Sequence, residues 1–257
     1  MSVKIEALAE FVDTAAHTAK AIPQIAEKEG LTLYDAYSIQ EASMRRRFAR
    51  GETHIGYKMG FTSRAKAIQM GVDDLIFGKL TDGMLVEDGG FLNVKDYVHP
   101  RVEPELALLL KRPLEGKVGM VEAYAAVEAV APAIEVIDSR YENFKFSLID
   151  VVADNSSSSG FVLGNWRERP EDPSNLGMIL SFDGQPVQIG STAAVLGNPV
   201  RSLVTAARML AERGERLEAG HIVLTGGATA AEALRPGVSV SAELEGLGRV
   251  GFTVEKD

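Results

Sequence analysis

At 257 residues, 46% hydrophobic and 25% charged, the chain has ordinary globular composition and length for one large domain or two small ones. Thirty-six acidic against twenty-seven basic residues give a net charge of −9, a surface that repels phosphate backbones and argues against nucleic acid as a partner. The absence of cysteine excludes disulfides, thiolate metal sites and a cysteine nucleophile, and no apolar run approaches the ~18 residues that span a bilayer.

The N-terminal stretch MSVKIEALAEFVD carries acids where a signal peptide would keep an unbroken apolar core, so a cytoplasmic location is expected. Ile5, Leu8, Phe11, Val12, Ala15 and Ala19 recur at three- and four-residue spacing and predict a helix that Pro23 ends or kinks. A second helix is predicted from Thr32, whose hydroxyl caps it in a capping-box arrangement with Asp35. It carries Tyr34, Tyr37 and Phe48 and runs into Arg45-Arg46-Arg47. In an acidic protein this basic run reads as a solvated helix end or an oligomer contact before it reads as a phosphate site. Residues 1–50 are therefore expected to be a helical segment packed on a main domain.

After Gly51 the texture changes, and residues 51–257 are expected to form a β-rich catalytic domain. Short β-prone runs alternate with glycine-rich turns: HIGYKMGFT, GMLVEDGGFLNV, VEPELALLLK, APAIEVID, GFVLG, GMILSFDG, HIVLTGG, VSVSAELEG and RVGFTVE. Two further helices are predicted. One is VEAYAAVEAVA; the other begins at Asn198-Pro199 and stops at Gly214. Many strands with few helices imply an α+β, sheet-dominated barrel or sandwich. The strand–helix alternation of a doubly wound nucleotide fold is missing, and Thr225-Gly226-Gly227 is too short for a phosphate loop.

The chemistry concentrates in the strands. In Arg101-Val102-Glu103-Pro104-Glu105-Leu106-Ala107-Leu108, side chains alternate between faces, so Glu103 and Glu105 project together. The opposite face, Val102, Pro104, Leu106, Leu108 and Leu110, is apolar. Two like charges side by side disfavour each other unless something positive lies between them; the alternative is a solvated strand face. Glu135, within Ala133-Ile134-Glu135-Val136-Ile137, stands in a run that reads as a buried strand. An isolated carboxylate there costs several kcal/mol, so pairing or metal binding is expected. The alternative is a salt bridge to Lys58 or an arginine.

Three carboxylates without cysteine make a hard, oxygen-only ligand set suited to Mg²⁺ or Mn²⁺. Lys58, in Gly56-Tyr57-Lys58-Met59-Gly60, can point into a pocket if the flanking glycines leave room for a ligand; the alternative is an ordinary surface lysine. His17, His54, His99 and His221 stand in no helical metal-ligand or triad spacing.

The segments HPRVEPELALLL, APAIEVIDSRYENFKFSLIDVVADNSSSSGFVLG, GYKMGFTS and HIVLTGG together resemble the 2-keto-4-pentenoate hydratase and 4-oxalocrotonate decarboxylase family, within the fumarylacetoacetate hydrolase superfamily. The resemblance runs in consistent order from about Thr32 to the C-terminus, and Ile137 to Phe146 looks more like the decarboxylase branch. It implies a mixed β-sandwich roll with a helical N-terminal part. It implies Glu103, Glu105 and Glu135 as metal ligands, and Lys58, Asp138 and Arg140 as catalytic residues. Ser156, Ser157, Thr225 and Gly226 match substrate-binding loop segments. Pro104 departs from the small residue usual between the two glutamates; since proline cannot donate to a ladder, it should face an edge or a bulge.

The implied reaction is metal-dependent decarboxylation of 2-oxohex-3-enedioate to 2-hydroxypenta-2,4-dienoate in meta-cleavage aromatic catabolism. Hydration of 2-hydroxypenta-2,4-dienoate at the same metal site, and a non-catalytic partner subunit, are the alternatives. A homo-oligomer and a complex with a homologous hydratase are further implied. Asp138 and Arg140 could share a face near the far end of the substrate; the alternative is a structural ion pair of Arg140 with Asp138 or Glu142.

Overall fold

The computed structural model describes residues 3–63 and 75–256. The N-terminal apolar stripe forms helix α1 (Val3–Thr18), and a short α2 (Ala26–Glu29) precedes α3 (Leu33–Ala49). Thr32 caps α3 in a full capping box: its hydroxyl accepts from the Asp35 amide, and the Asp35 carboxylate accepts from the Thr32 amide. The basic run at the end of α3 is engaged within the chain, with Arg45 on Glu6, Arg46 on Glu10 and Asp13, and Arg47 on Glu52. The Arg45 and Arg46 pairs clamp α3 to α1, and the run is neither an anion site nor a bare solvated end.

The strands are β1 (His54–Gly60), β2 (Ile76–Thr81), β3 (Leu85–Val86), β4 (Phe91–Leu92), β5 (Arg101–Leu110), β6 (Val127–Ile137), β7 (Ser158–Leu163), β8 (Arg167–Glu168), β9 (Gly177–Phe182), β10 (Gln185–Ser191), β11 (Ile222–Leu224), β12 (Glu232–Ala233), β13 (Ser239–Leu244) and β14 (Gly248–Val254). Among the described residues they form two mixed sheets. One runs β2-β1-β11-β5-β6-β7-β3, with β12 added to β5 and β8 to β6; the other runs β10-β9-β13-β14-β4. Val102, Ile134, Val136 and Val162 of the first pack on Leu180, Val240, Ala242 and Phe252 of the second. This is the sheet-rich α+β architecture that the strand pattern implied.

Two helix expectations are corrected. Of VEAYAAVEAVA only the first five residues are helical, within α4 (Met120–Ala125), and its end from Val127 opens the long strand β6. Val127, Val130 and Ala131 there are fully buried, and that burial outweighs the helical preference of alanine. A further helix, α5 (Leu148–Ala153), went unread; Ser147 and Asp150 cap it in a second capping box. The helix predicted from Asn198-Pro199 is α6 (Val200–Ala211), with Asn198 Oδ1 accepting from the Val200 amide at 2.9 Å.

Ile5, Ala9, Val12 and Ile39 from the N-terminal helices share one apolar cluster with Tyr57, Leu106, Leu108 and Leu203. Pro104 meets its requirement by a gap in the sheet. Its carbonyl side faces away from β6, where β11 pairs only as far as Ala107 and β12 begins at Val102. The Ala228 amide reaches the Pro104 carbonyl there at 3.3 Å, and no ladder donor is missing.

Candidate active site

The antiparallel register of β5 and β6 sets Glu103 directly opposite Glu135, and Glu105 opposite Ala133. All three glutamates are buried: Glu103 is 8% exposed, Glu135 1% and Glu105 0%. The solvated-face alternative therefore fails. Glu105 Oε2 accepts the Gly226 amide at 2.7 Å, while its Oε1 is buried without a hydrogen-bond partner. Lys58 Nζ lies 3.1 Å from Glu135 Oε1 and donates to the Ser156 carbonyl at 3.0 Å. Lys58 is itself buried, so the surface-lysine alternative fails too.

The glycines around Lys58 do a different job from the one expected. A Cβ on Gly56 would lie 1.9 Å from the Ile222 carbonyl oxygen, and one on Gly60 would strike the Ile76 side chain. They let β1 and β11 approach and let Ile76 pack, which fixes the strand that aims Lys58.

Burial pushes the Glu105 carboxyl well above the usual carboxylate range, and the neighbouring Glu135 and Glu103 charges push it further against the pull of Lys58. Burial also raises Glu135, with Lys58 the chief opposing influence. Three buried carboxylates thus stand close together, with the buried Lys58 ammonium on one of them. A divalent cation would balance the excess negative charge, and the all-oxygen set with the orphaned Glu105 Oε1 suits Mg²⁺ or Mn²⁺. Among the described residues, no three acidic or histidine side chains stand as a closed ligand set, and Glu135 is paired with Lys58. The residues fit the ion in charge and donor type.

Lys58, Glu103 and Glu135 line a cavity of about 620 Å³ whose other walls include Ile76, Phe144, Phe146 and Val151. Ser156 and Ser157 enter it from a turn where Asn155, Ser156 and Ser157 all hold positive φ, at 46°, 53° and 59°. Such left-handed runs cost energy and persist only where surrounding structure enforces them. The Ser156 hydroxyl is committed to the Phe77 carbonyl at 2.7 Å; the Ser157 hydroxyl is buried and has no partner. Thr225 is sealed off from the cavity, with its hydroxyl on the Leu106 carbonyl at 3.0 Å. Gly226 acts on Glu105 through its amide. Its φ of +106° and a would-be Cβ 2.0 Å from Thr62 Oγ1 require glycine.

Asp138 and Arg140 do not reach this cavity. Asp138 accepts the Val98 and His99 amides, and Arg140 is locked on Asp154 through Nε and through a 2.8 Å bond to the Asp154 carbonyl. Burial raises the Asp154 carboxyl to about 6 despite the guanidinium beside it. Both Asp138 and Arg140 border a separate cleft of about 270 Å³ with Asp13 and Arg50. β6 ends at Ile137, so strand alternation no longer governs the two residues beyond it. The ion pair expected with Asp138 or Glu142 is replaced by one with Asp154.

Arg101, Phe144 and Phe146, by contrast, line the cavity and were missed. Arg101 stands one alternation before Glu103, so extending the same two-residue period would have found it. The phenylalanines alternate within the segment already singled out, but only the fold turns them inward.

Residues 54–255 match the sequence profile described as fumarylacetoacetate (FAA) hydrolase, C-terminal. The chain is 55% identical to a 4-oxalocrotonate decarboxylase of Pseudomonas sp over 251 residues, 98% of each chain. It is 36% identical to a 2-keto-4-pentenoate hydratase of Paraburkholderia xenovorans over 226 residues, 87% of this chain and 84% of that one. The structure superposes on 4-oxalocrotonate decarboxylase from Pseudomonas putida G7, complexed with magnesium and adipate, with a TM-score of 0.95 and 41% identity, covering 98% of this chain and 97% of that one.

Proposed function

The chain belongs to the fumarylacetoacetate hydrolase family, and from that premise we propose that it decarboxylates 2-oxohex-3-enedioate (4-oxalocrotonate) with a bound divalent metal, giving 2-hydroxypenta-2,4-dienoate and carbon dioxide. The observation that carries this reading is the buried cluster of Glu103, Glu105 and Glu135 around Lys58, in a chain whose decarboxylase relatives are more similar to it than its hydratase relatives.

In this reading Glu103, Glu105 and Glu135 hold Mg²⁺ or Mn²⁺. When bound, the ion supplies Lewis acidity at the 2-oxo acid end of the substrate. The Gly226 amide fixes one oxygen of Glu105 and leaves the other for the ion. As the bond to the distal carboxylate breaks, its electron pair moves through the conjugated chain to the 2-oxo oxygen. Lys58, oriented by the Ser156 carbonyl, places an ammonium where that negative charge grows and can deliver the enol proton. The unpartnered Ser157 hydroxyl is the second donor on offer to the substrate. Ile76, Phe144, Phe146 and Val151 line the cavity with apolar surface that excludes water from the departing carboxylate. Asp138 and Arg140 are assigned the support of the neighbouring loops. A homo-oligomer, a complex with a homologous hydratase and a cytoplasmic location belong to the same proposal; among the described residues no helix is long and apolar enough to cross a membrane.

The test offers purified protein 2-oxohex-3-enedioate and 2-hydroxypenta-2,4-dienoate separately, with and without Mg²⁺. Stoichiometric carbon dioxide from the first and slow hydration of the second are expected. Rapid hydration without carbon dioxide makes the protein a hydratase; binding without turnover of either makes it a non-catalytic subunit.

A further inference from the structure

Arg101 precedes Glu103 by two residues on β5, so both side chains leave the same face of the sheet and both line the cavity. Two residues of strand advance about 7 Å. That is comparable to the length of a six-carbon dicarboxylate whose first carboxylate lies among the glutamates. Arg101 Cζ sits 4.3 Å from the centroid of the Phe144 ring, and among the described residues its guanidinium has no carboxylate partner. A cation that lines a largely apolar wall with only a ring beneath it keeps its hydrogen bonds for something else.

The ring is deliberately held. Asn143 and Phe144 both adopt positive φ, 59° and 56°, in a short turn. Phe146 braces Phe144 at 5.4 Å between centroids, and His99 does so at 6.2 Å. For a non-glycine pair, this backbone is strained, and the strain places an aromatic face under a guanidinium in the cavity wall. Across the ladder Arg101 faces Ile137, which adds apolar surface beside it.

We propose that Arg101, held over Phe144, receives the second carboxylate of the substrate and selects dicarboxylic over monocarboxylic 2-oxo acids. The inference rests on the reading above only in placing the 2-oxo acid end at the glutamates. A planar guanidinium grips a carboxylate through two parallel hydrogen bonds. The ring beneath it limits where the guanidinium can lie, and so where it holds that carboxylate and the carbon–carbon bond that carries it. When this bond breaks, the electron pair enters the conjugated chain and the group departs as neutral carbon dioxide, which the guanidinium no longer holds. The distal-carboxylate role expected of Arg140 thus passes to Arg101.

The test is calorimetric, with Mg²⁺ present, and compares 2-oxoadipate with 2-oxohexanoate, which differ only in the distal carboxylate and cannot undergo the reaction. Wild-type protein is expected to bind the dicarboxylate at least about tenfold more tightly. Arg101→Gln should weaken the dicarboxylate by about ten- to a hundredfold, the worth of a charge-assisted hydrogen-bond pair, and leave the monocarboxylate within about twofold. Arg101→Lys keeps the charge without the fork and should lose an intermediate amount; it carries the comparison should the glutamine variant not fold. Equal binding of the two acids by wild type, or dicarboxylate affinity within about threefold in both variants, overturns the proposal. If Arg101 selects the dicarboxylate but no carbon dioxide is released from the unsaturated diacid, the decarboxylase reading fails and this one stands; carbon dioxide release with no Arg101 dependence is the reverse.

Discussion

Glu103 and Glu135 are direct partners across two antiparallel strands, and both are buried. Residues opposed in this way stand ~5 Å apart at Cα, and like charges there repel. Glu105 adds a third carboxylate one alternation along, and Lys58 is paired with Glu135 among them. Such an arrangement destabilises the metal-free protein and gains stability from a cation, since a ligand bound only by the folded state stabilises it by mass action.

Chelation should abolish activity, and Mg²⁺ or Mn²⁺ should restore it. In the metal-free protein Glu105→Gln should raise Tm by a few degrees, on the order of 1 kcal/mol, because it removes a buried like charge and keeps the shape. The same variant should lose the rise in Tm that Mg²⁺ gives the wild type. Scanning calorimetry with and without metal reads both effects, and an unchanged Mg²⁺ response in Glu105→Gln would falsify the ligand assignment.

Lys58→Ala should reduce kcat by about a hundredfold or more, comparable to losing one preorganised donor at a developing oxyanion. Steady-state kinetics at saturating Mg²⁺ measures it. A loss below about threefold would confine Lys58 to neutralising Glu135.

Arg140→Ala should act on stability rather than chemistry. It strands Asp154, which is 1% exposed, without its cation, and breaking a buried pair from one side costs about 3–5 kcal/mol. Urea denaturation should show that loss, while the folded fraction keeps its KM. A catalytic Arg140 would instead lower kcat at unchanged stability.

His54 gives the acid limb of stability. Burial lowers its pKa to about 4, helped by the neighbouring His221 and Lys79, against an ordinary value of 6.5. Between those values the unfolded chain binds a proton that the folded protein refuses, so stability falls as pH drops from 6.5 towards 4. The contribution amounts to at most about 3 kcal/mol. His54→Gln should flatten this limb in denaturant titrations at pH 7 and pH 5; an unaltered slope would assign the loss to other groups.

The amino-acid sequence alone determined the helical N-terminal segment, the capping box at Thr32 and Asp35 and most strands, and it marked Glu103, Glu105, Glu135 and Lys58 as candidates that the family resemblance joined into one site. These follow from short-range periodicity, capping chemistry and the cost of a charge in an apolar run, all of which are local. The strand hidden in VEAYAAVEAVA was not local: its alanines favour helix until β5 and β8 flank its end. Nor was the division of labour within Ile137 to Phe146. Once β6 ends, alternation stops carrying information, and the chain alone could not say that Asp138 and Arg140 turn away while Phe144 and Phe146 turn inward. Asp154, a partner fourteen positions along the chain, captures Arg140, and a strained turn delivers Phe144 beneath Arg101. Those choices are made by long-range pairing, which only the tertiary structure contains.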